Sequence, residues 1–416
     1  MKRMRAAGYQ TAVYHAGLAD VGDAVIVINS CTVTSESDRK LRQLLRRVRR
    51  DNPSAVIAVG GCMPQAFPDK AAALSEADIV LGNASRERLV SAVFEFLSTR
   101  ERVIDIPPHE KTIEPLCIED FEERTRAFVK IEDGCDRFCS YCIIPYARGR
   151  VRSRAPEEIT AELETLVESG YREVVLVGIN LTAYGKDNGL NLADVVEAAC
   201  AVEGIDRVRL GSLEPDHLSD DMIARLKAQP KLCEQFHVAL QSGCDATLKR
   251  MNRHYTTAEF REICQRLKAA FPDASFTTDV MVGFPGETEE EFEQSVAFVT
   301  EIGFSKVHVF PYSRRDGTKA AAMPAQVGNA DKVARAHAMS EACETVRRRI
   351  MEAAVGTKQD VLAETRTDDG HTLGYTRGYL PCRIDEDVAP GETVTVTVYQ
   401  AEDDLLYATT RGEDVV

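Results

Sequence analysis

From Phe128 onward, strand-like and helix-like segments alternate with a regularity that leaves few folds open. Short aliphatic and β-branched runs predict strands over 128–132, 173–179, 207–213, 235–240, 275–282 and 306–310. Between them a helical period predicts helices over 156–169, 192–202, 220–229, 257–270 and 289–302, the last opened by the capping pattern Thr288-x-x-Glu291. A helix between successive strands returns the chain to the same edge, so the strands pair in parallel. Six such units predict an α/β fold with a sheet curled into a partial (β/α)6 barrel. Chemistry in such barrels gathers at the carboxyl ends of the strands.

Directly after the first predicted strand come Cys135, Cys139 and Cys142, spaced Cys-x3-Cys-x2-Cys. Three thiolates can hold an iron-sulfur cubane whose fourth iron stays open to chelate a small molecule, whereas four thiolates close the cluster for electron transfer. The chain has no apolar run of about 18 residues and no signal-peptide core behind its first basic residues, which predicts a cytoplasmic protein without a membrane segment. In that reducing setting its twelve cysteines are buried thiols or metal ligands rather than disulfides. Cys244 reads as a packing residue, and Cys117, in the charged and aperiodic stretch 109–125, as an incidental thiol in a linker.

Residues 1–107 read as a separate doubly wound, flavodoxin-like unit, with strands over 12–15, 24–28 and 56–59 and helices over 38–50 and 86–97. Cys31 and Cys62 each follow a strand by a few residues, which predicts that both emerge at one sheet edge, where open α/β sheets bind ligands. The alternative is two unrelated core thiols. Met1 to Ala7 reads as the end of a helix stopping at Gly8 with no strand before it, so the unit is expected to lack an upstream segment. A long helix ends near Ala354, and 356–416 becomes β-rich, with Gly370, Gly374, Gly378 and Gly391 punctuating short alternating runs such as Thr393 to Val398. This predicts a small β-barrel of the kind that binds nucleic acid, or a structural cap.

The net charge of −15 argues against indiscriminate nucleic-acid binding but leaves local basic faces open. Seven of the twelve residues from Arg39 to Arg50 are basic, while Leu41, Leu44, Leu45 and Val48 keep the spacing of a buried helix face, so the cations point outward. Arg148, Arg150, Arg152 and Arg154 form a second basic run; a polyanion or plain solvent could face either one, and the place beside the cysteine motif favours a polyanion for the second.

The stretch Asp133 to Arg150, with Gly134-Cys135-Asp136-Arg137-Phe138-Cys139-Ser140-Tyr141-Cys142-Ile143-Ile144-Pro145, resembles the methylthiotransferases of the radical S-adenosylmethionine superfamily. Val177 to Asn180 with Tyr184-Gly185, Gln241 to Gly243 with Met251 to Arg253, and Thr278 to Thr288 extend the resemblance along the chain, and the carboxyl-terminal barrel is similar to a TRAM domain. Asn29 to Thr34, followed by Ser37 to Lys40 and Arg42-Gln43, resembles the branch that acts on N6-threonylcarbamoyladenosine beside the tRNA anticodon. The resemblance implies a radical core over 121–350 and a TRAM-like barrel over 354–416. It implies a [4Fe-4S] cluster on Cys135, Cys139 and Cys142, with S-adenosylmethionine chelating the open iron. It also implies an auxiliary [4Fe-4S] cluster with Cys31 and Cys62, whose third cysteine would lie upstream. On that reading the chain as given cleaves S-adenosylmethionine but methylthiolates poorly. Asn180, Glu214, Gln241 and Asp279, at strand ends, are expected to orient S-adenosylmethionine or to be satisfied mouth residues. The implied partners are tRNA and a flavodoxin- or ferredoxin-type electron donor, and the chain is expected to be a monomer.

Two other readings compete. One is a methylthiotransferase acting on isopentenyladenosine in tRNA or on a ribosomal protein. The other is a non-catalytic RNA-binding protein stabilised by zinc, against which the absence of a second Cys-x2-Cys knuckle counts.

Overall fold

The computed structural model describes residues 2–13, 24–111, 113 and 125–411. Its contacts divide the chain into two compact units. The first comprises 1–115, 134–150 and 313–322, and the second 116–133, 151–312 and 323–416.

In the first unit, Val25–Ser30 and Val56–Gly61 pair in parallel from Val25↔Val56 to Ser30↔Gly61. Two three-residue strands, Ile79–Leu81 and Val103–Asp105, extend the sheet in chain order. The Ser35–Asp51 helix is capped by Thr34, whose side chain accepts from the Ser37 amide. It lays Leu41, Leu45 and Val48 on Ile26, Ile28, Ile57 and Val59. Each such fully buried aliphatic side chain contributes about 1.5–3 kcal/mol. The Leu89–Thr99 helix contributes Ala92 and Val93 to the cluster with Val56, Ala58, Ile79 and Leu81 on the other face. Burial on both faces explains why the two inner strands, Val56–Gly61 and Ile79–Leu81, read as continuous apolar runs, whereas the outer strands leave Val27 and Ile104 exposed. Lys2–Ala6 is a short helix ending before Gly8, whose φ is +89°. Ala12 and Val13 are not in a strand; the rest of the strand expected over 12–15, and Cys117, lie outside the described residues.

The second unit contains the predicted barrel. Arg126–Lys130, Glu173–Val177 and Arg207–Leu210 form one parallel sheet; Ser212–Leu213, Gln235–Val238, Ser275–Val282 and Lys306–Pro311 form another. One extended segment, broken only at Gly211, carries both Arg207–Leu210 and Ser212–Leu213 and so joins the two sheets into a six-strand run. Among the described residues no pairing links the first strand to the last. The Leu192–Ala201, Thr257–Ala270 and Glu289–Ile302 helices open with capping boxes at Asn191/Asp194, Thr256/Glu259 and Thr288/Glu291. After the 25-residue Asn329–Ala353 helix, five strands close a small barrel around Val361, Ala363, Cys382, Ile384, Val396 and Val398.

That small barrel packs on the amino ends of the large one. Arg209, in the third strand, donates to the carbonyls of Thr376 (2.9 Å) and Arg377 (2.8 Å), and Arg377 returns to those of Pro230 (3.0 Å) and Leu232 (2.7 Å). Ser275, the first residue of its strand, donates to the Gly378 carbonyl, and Arg126 pairs with Glu364. Among the described residues no helix is long and apolar enough to cross a membrane.

Candidate active site

The cysteine loop belongs to the first unit. It is held tightly at its base, where the Cys135 amide donates to the Gly149 carbonyl at 3.0 Å and that of Cys142 to Cys139 at 2.9 Å. Gly134 has φ +95°, and a Cβ there would fall 1.9 Å from the Arg150 carbonyl oxygen, so only glycine lets the loop leave the strand this closely. Phe138 also has a positive φ, 49°, and its ring meets Tyr146 edge-on at 5.8 Å. Cys139 is buried and Cys135 and Cys142 are half-buried. Among the described residues no three His, Cys, Asp or Glu side chains converge closely enough to hold a metal ion. A cubane is larger than a single ion and spaces its thiolates more widely. Three thiols on one braced loop could hold such a cluster with one iron left open.

Cys31 and Cys62 follow strand residues that are register partners, Ser30 and Gly61, and so leave the same sheet edge. Cys31 is exposed and Cys62, half-buried, opens the Cys62–Ala66 helix. The Asn83 amide donates both to the Cys62 sulfur (3.3 Å) and to the Ala147 carbonyl (2.9 Å), a link between that cysteine and the Ile144–Arg148 helix that follows Cys142. Sequence reasoning missed Asn83, because the strand before it is only three residues long. Arg315 reaches the Cys31 side of the sheet, pairing with buried Asp38 at 2.6 Å and bonding Thr32, which itself donates to Asp38 at 2.8 Å.

Two of the four arginines after the cysteines are structural, which removes them from the polyanion-facing surface expected there. Arg154 is buried and pairs with Glu162 at 2.5 Å, and Arg152 is buried 3.9 Å from Asp133. Arg150 remains exposed, over the Phe138 ring.

The second unit places Asn180, Glu214 and Gln241 just past the carboxyl ends of its strands, whereas Asp279, expected at a strand end, is the fifth of the eight residues of Ser275–Val282. Asn180 is buried, and its side-chain oxygen accepts from Thr182 at 3.0 Å. Glu214 pairs with Arg253, a residue of the Met251-Asn252-Arg253 motif, whose guanidinium also donates to the Ala239 carbonyl. Gln241 has φ +67° and exchanges backbone bonds with Asp279 and Met281 across a single bridge. Asp279 lies 3.4 Å from the Nε2 of His237, whose Nδ1 meets Thr277 at 3.0 Å. His308 is Asp279's register partner, its ring 6.0 Å from that of His237, and burial lowers its pKa. Cys244 is buried, with its thiol bonded to Gln294.

Glu132 is the residue that sequence reasoning passed over. It is fully buried; one carboxyl oxygen accepts from the amides of Ile179 (2.8 Å) and Asn180 (2.9 Å), and the other has no hydrogen-bond partner among the described residues. Gly178 permits this approach, since a Cβ there would lie 2.6 Å from the carboxyl. The strand expected over 173–179 therefore stops at Val177, and its last residues turn to cap the acid. Burial pushes Glu132 up to about 8. Together these groups offer amides, carboxyls and imidazoles suited to a zwitterionic, nucleoside-bearing ligand.

Sequence profiles of three families match in succession: the uncharacterized protein family UPF0004 over residues 1–82, the Radical SAM superfamily over 129–299 and the TRAM domain over 352–410. The chain is 39% identical to the threonylcarbamoyladenosine tRNA methylthiotransferase of Bacillus subtilis strain 168, covering 86% of this chain and 81% of that one. The enzyme of the same name from Thermotoga maritima is 37% identical, over 87% and 83%. The chain belongs to the radical S-adenosylmethionine methylthiotransferase family. This methylthiotransferase is also 36% identical to the tRNA-2-methylthio-N(6)-dimethylallyladenosine synthase of Caldicellulosiruptor saccharolyticus, over 85% and 77%. Among solved structures it shares its fold with the radical S-adenosylmethionine methyltransferase TsrM of Kitasatospora setae, with a TM-score of 0.54 at 15% identity over 84% of this chain and 68% of that one. Membership implies S-adenosylmethionine and a [4Fe-4S] cluster as cofactors of the methylthiotransferase.

Proposed function

We propose that this methylthiotransferase adds a methylthio group to C2 of N6-threonylcarbamoyladenosine next to the tRNA anticodon. The observation that carries the reading is the 35–39% identity, over 86–91% of the chain, to three relatives named for that substrate. In this reading Cys135, Cys139 and Cys142 hold the radical cluster, and Cys31 and Cys62 help hold an auxiliary cluster. Bound cluster and S-adenosylmethionine supply a radical able to take hydrogen from an unactivated C–H bond, which acid–base chemistry at neutral pH cannot do.

The chain's own residues bind and orient. Asn180, Glu214, Gln241 and Asp279 position S-adenosylmethionine, and Glu132 fixes the backbone at Ile179 and Asn180. Residues 1–107 serve the auxiliary cluster, 121–350 the radical core and 354–416 the RNA. A flavodoxin- or ferredoxin-type protein delivers the electrons, and the chain works as a monomer.

The relatives named for dimethylallyladenosine, 35–36% identical, support a second reading on that nucleoside. Mass spectrometry of tRNA nucleosides from a deletion strain separates the two. Loss of methylthio-threonylcarbamoyladenosine, restored by the gene, is expected. Unchanged levels of it together with loss of the methylthio-isopentenyl nucleoside would transfer the assignment.

A further inference from the structure

The chemistry above leaves unused the outer face of the Ser35–Asp51 helix. Its inner face is Asp38, Leu41, Leu45 and Val48, and Arg49 at the margin is consumed structurally, pairing with Asp78 at 2.6 Å and bonding the Ala55 and Glu76 carbonyls. On the opposite side Arg39, Arg42, Arg46 and Arg50 fall within about 80° of one another, a stripe about 17 Å long, flanked by Lys40 and Arg47. All six are exposed.

What restrains these cations is slight. Arg39 pairs with Glu36 at 2.5 Å, Arg46 with Glu76 at 3.5 Å, and Arg47 and Arg50 with Asp51 at 3.6 and 2.9 Å. Exposed pairs of this kind are worth about 0–1 kcal/mol and exchange readily for a phosphate. Arg42 forms no ion pair among the described residues. A row of arginines this dense on a chain of net charge −15 is complementary to one class of partner, a phosphate polymer. A membrane surface fits poorly, because the helix's apolar arc is already buried under the sheet and has nothing to insert.

We infer that this helix face docks the sugar-phosphate backbone of the tRNA, a placement that rests on the substrate reading above. The contact is sequence-independent and positions the stem rather than reading its bases.

The test is fluorescence anisotropy of a labelled tRNA carrying N6-threonylcarbamoyladenosine, titrated with the full chain between 50 and 200 mM KCl. The double variant R42E/R46E is expected to bind at least tenfold more weakly at 100 mM salt. Its slope of log affinity against log salt should fall by about 1.4–1.8, the contribution of two lost phosphate contacts. R42Q/R46Q should lie between it and the wild type. The control R348E/R349E makes the same charge change on exposed arginines of the Asn329–Ala353 helix and should keep both affinity and slope. Unchanged binding by R42E/R46E, or an equal loss in the control, overturns the inference while leaving the substrate reading intact. Failure of the wild type and control alike to bind the tRNA sinks the substrate reading itself.

Discussion

Glu132 and Gly134 lie two positions apart and make opposite demands on the chain. Glu132 places a carboxyl where water is excluded, and its only described bonds come from two backbone amides. With the folded group raised to about 8 from 4.5, the native state keeps a proton that the unfolded chain sheds. Stability is therefore greatest below about pH 4.5 as far as this group is concerned, and falls as pH rises toward 8 by up to about 1.4 kcal/mol per pH unit. Glu132→Gln should flatten that decline, measured as denaturant midpoints from pH 5 to 8; parallel curves for both proteins would contradict it. Gly134 is fixed by geometry instead. Gly134→Ala forces a methyl group into the Arg150 carbonyl, so iron bound per chain after anaerobic reconstitution should drop at least twofold, and full iron content would show that the loop can move aside.

The helices and strands differ in how each is secured. The amino end of the Ser35–Asp51 helix is anchored by Asp38, paired with Arg315 in a buried site whose guanidinium also lies over the Phe67 ring at 4.5 Å. Removing one partner leaves a buried charge uncompensated, so Arg315→Ala should cost about 3–5 kcal/mol, read as a lower thermal midpoint. Asp38→Leu with Arg315→Leu together should cost much less than the two single changes summed. A loss below 1 kcal/mol for the single variant would mean that water reaches the pair.

These anchors also show what a sequence can reveal. The Thr257–Ala270 and Glu289–Ile302 helices were legible to the residue, because each carries its own capping box and period. Ile79–Leu81 and Val103–Asp105 were not, since three residues cannot display an alternation. The place of Cys135, Cys139 and Cys142 just after the first barrel strand was legible in the order of the segments. Asn83, Glu132 and the His237–Asp279–His308 group were not, because their neighbours come from segments 21–71 positions away and only folding supplies them. The second basic run misled for the same reason. Arg152 and Arg154 resemble solvated cations until Asp133 and Glu162 are folded against them.

The whole methylthiotransferase depends on a buried charge knot where the small barrel meets the large one. Glu173, 1% exposed, faces Arg209 at 2.7 Å and Arg126 and Arg207 at 3.5 Å, with the Tyr379 ring over both Arg126 and Arg209. Glu173→Gln leaves three guanidinium groups without their shared carboxylate. We expect a loss of about 3–5 kcal/mol, with early release of the carboxyl-terminal barrel in limited proteolysis. An unchanged digestion pattern would show that the backbone bonds of Arg209 and Arg377 suffice to hold it.

Because the small barrel is fastened to the amino ends of the strands while Asn180, Glu214 and Gln241 stand at the carboxyl ends, the strand length becomes a calliper. The eight residues of Ser275–Val282 set its jaws about 26 Å apart. If the small barrel grips the tRNA as proposed, the nucleic acid can offer a base to the upper jaw only by reaching that far along the outside of the sheet, and a free nucleoside or clipped loop should then be a poor substrate.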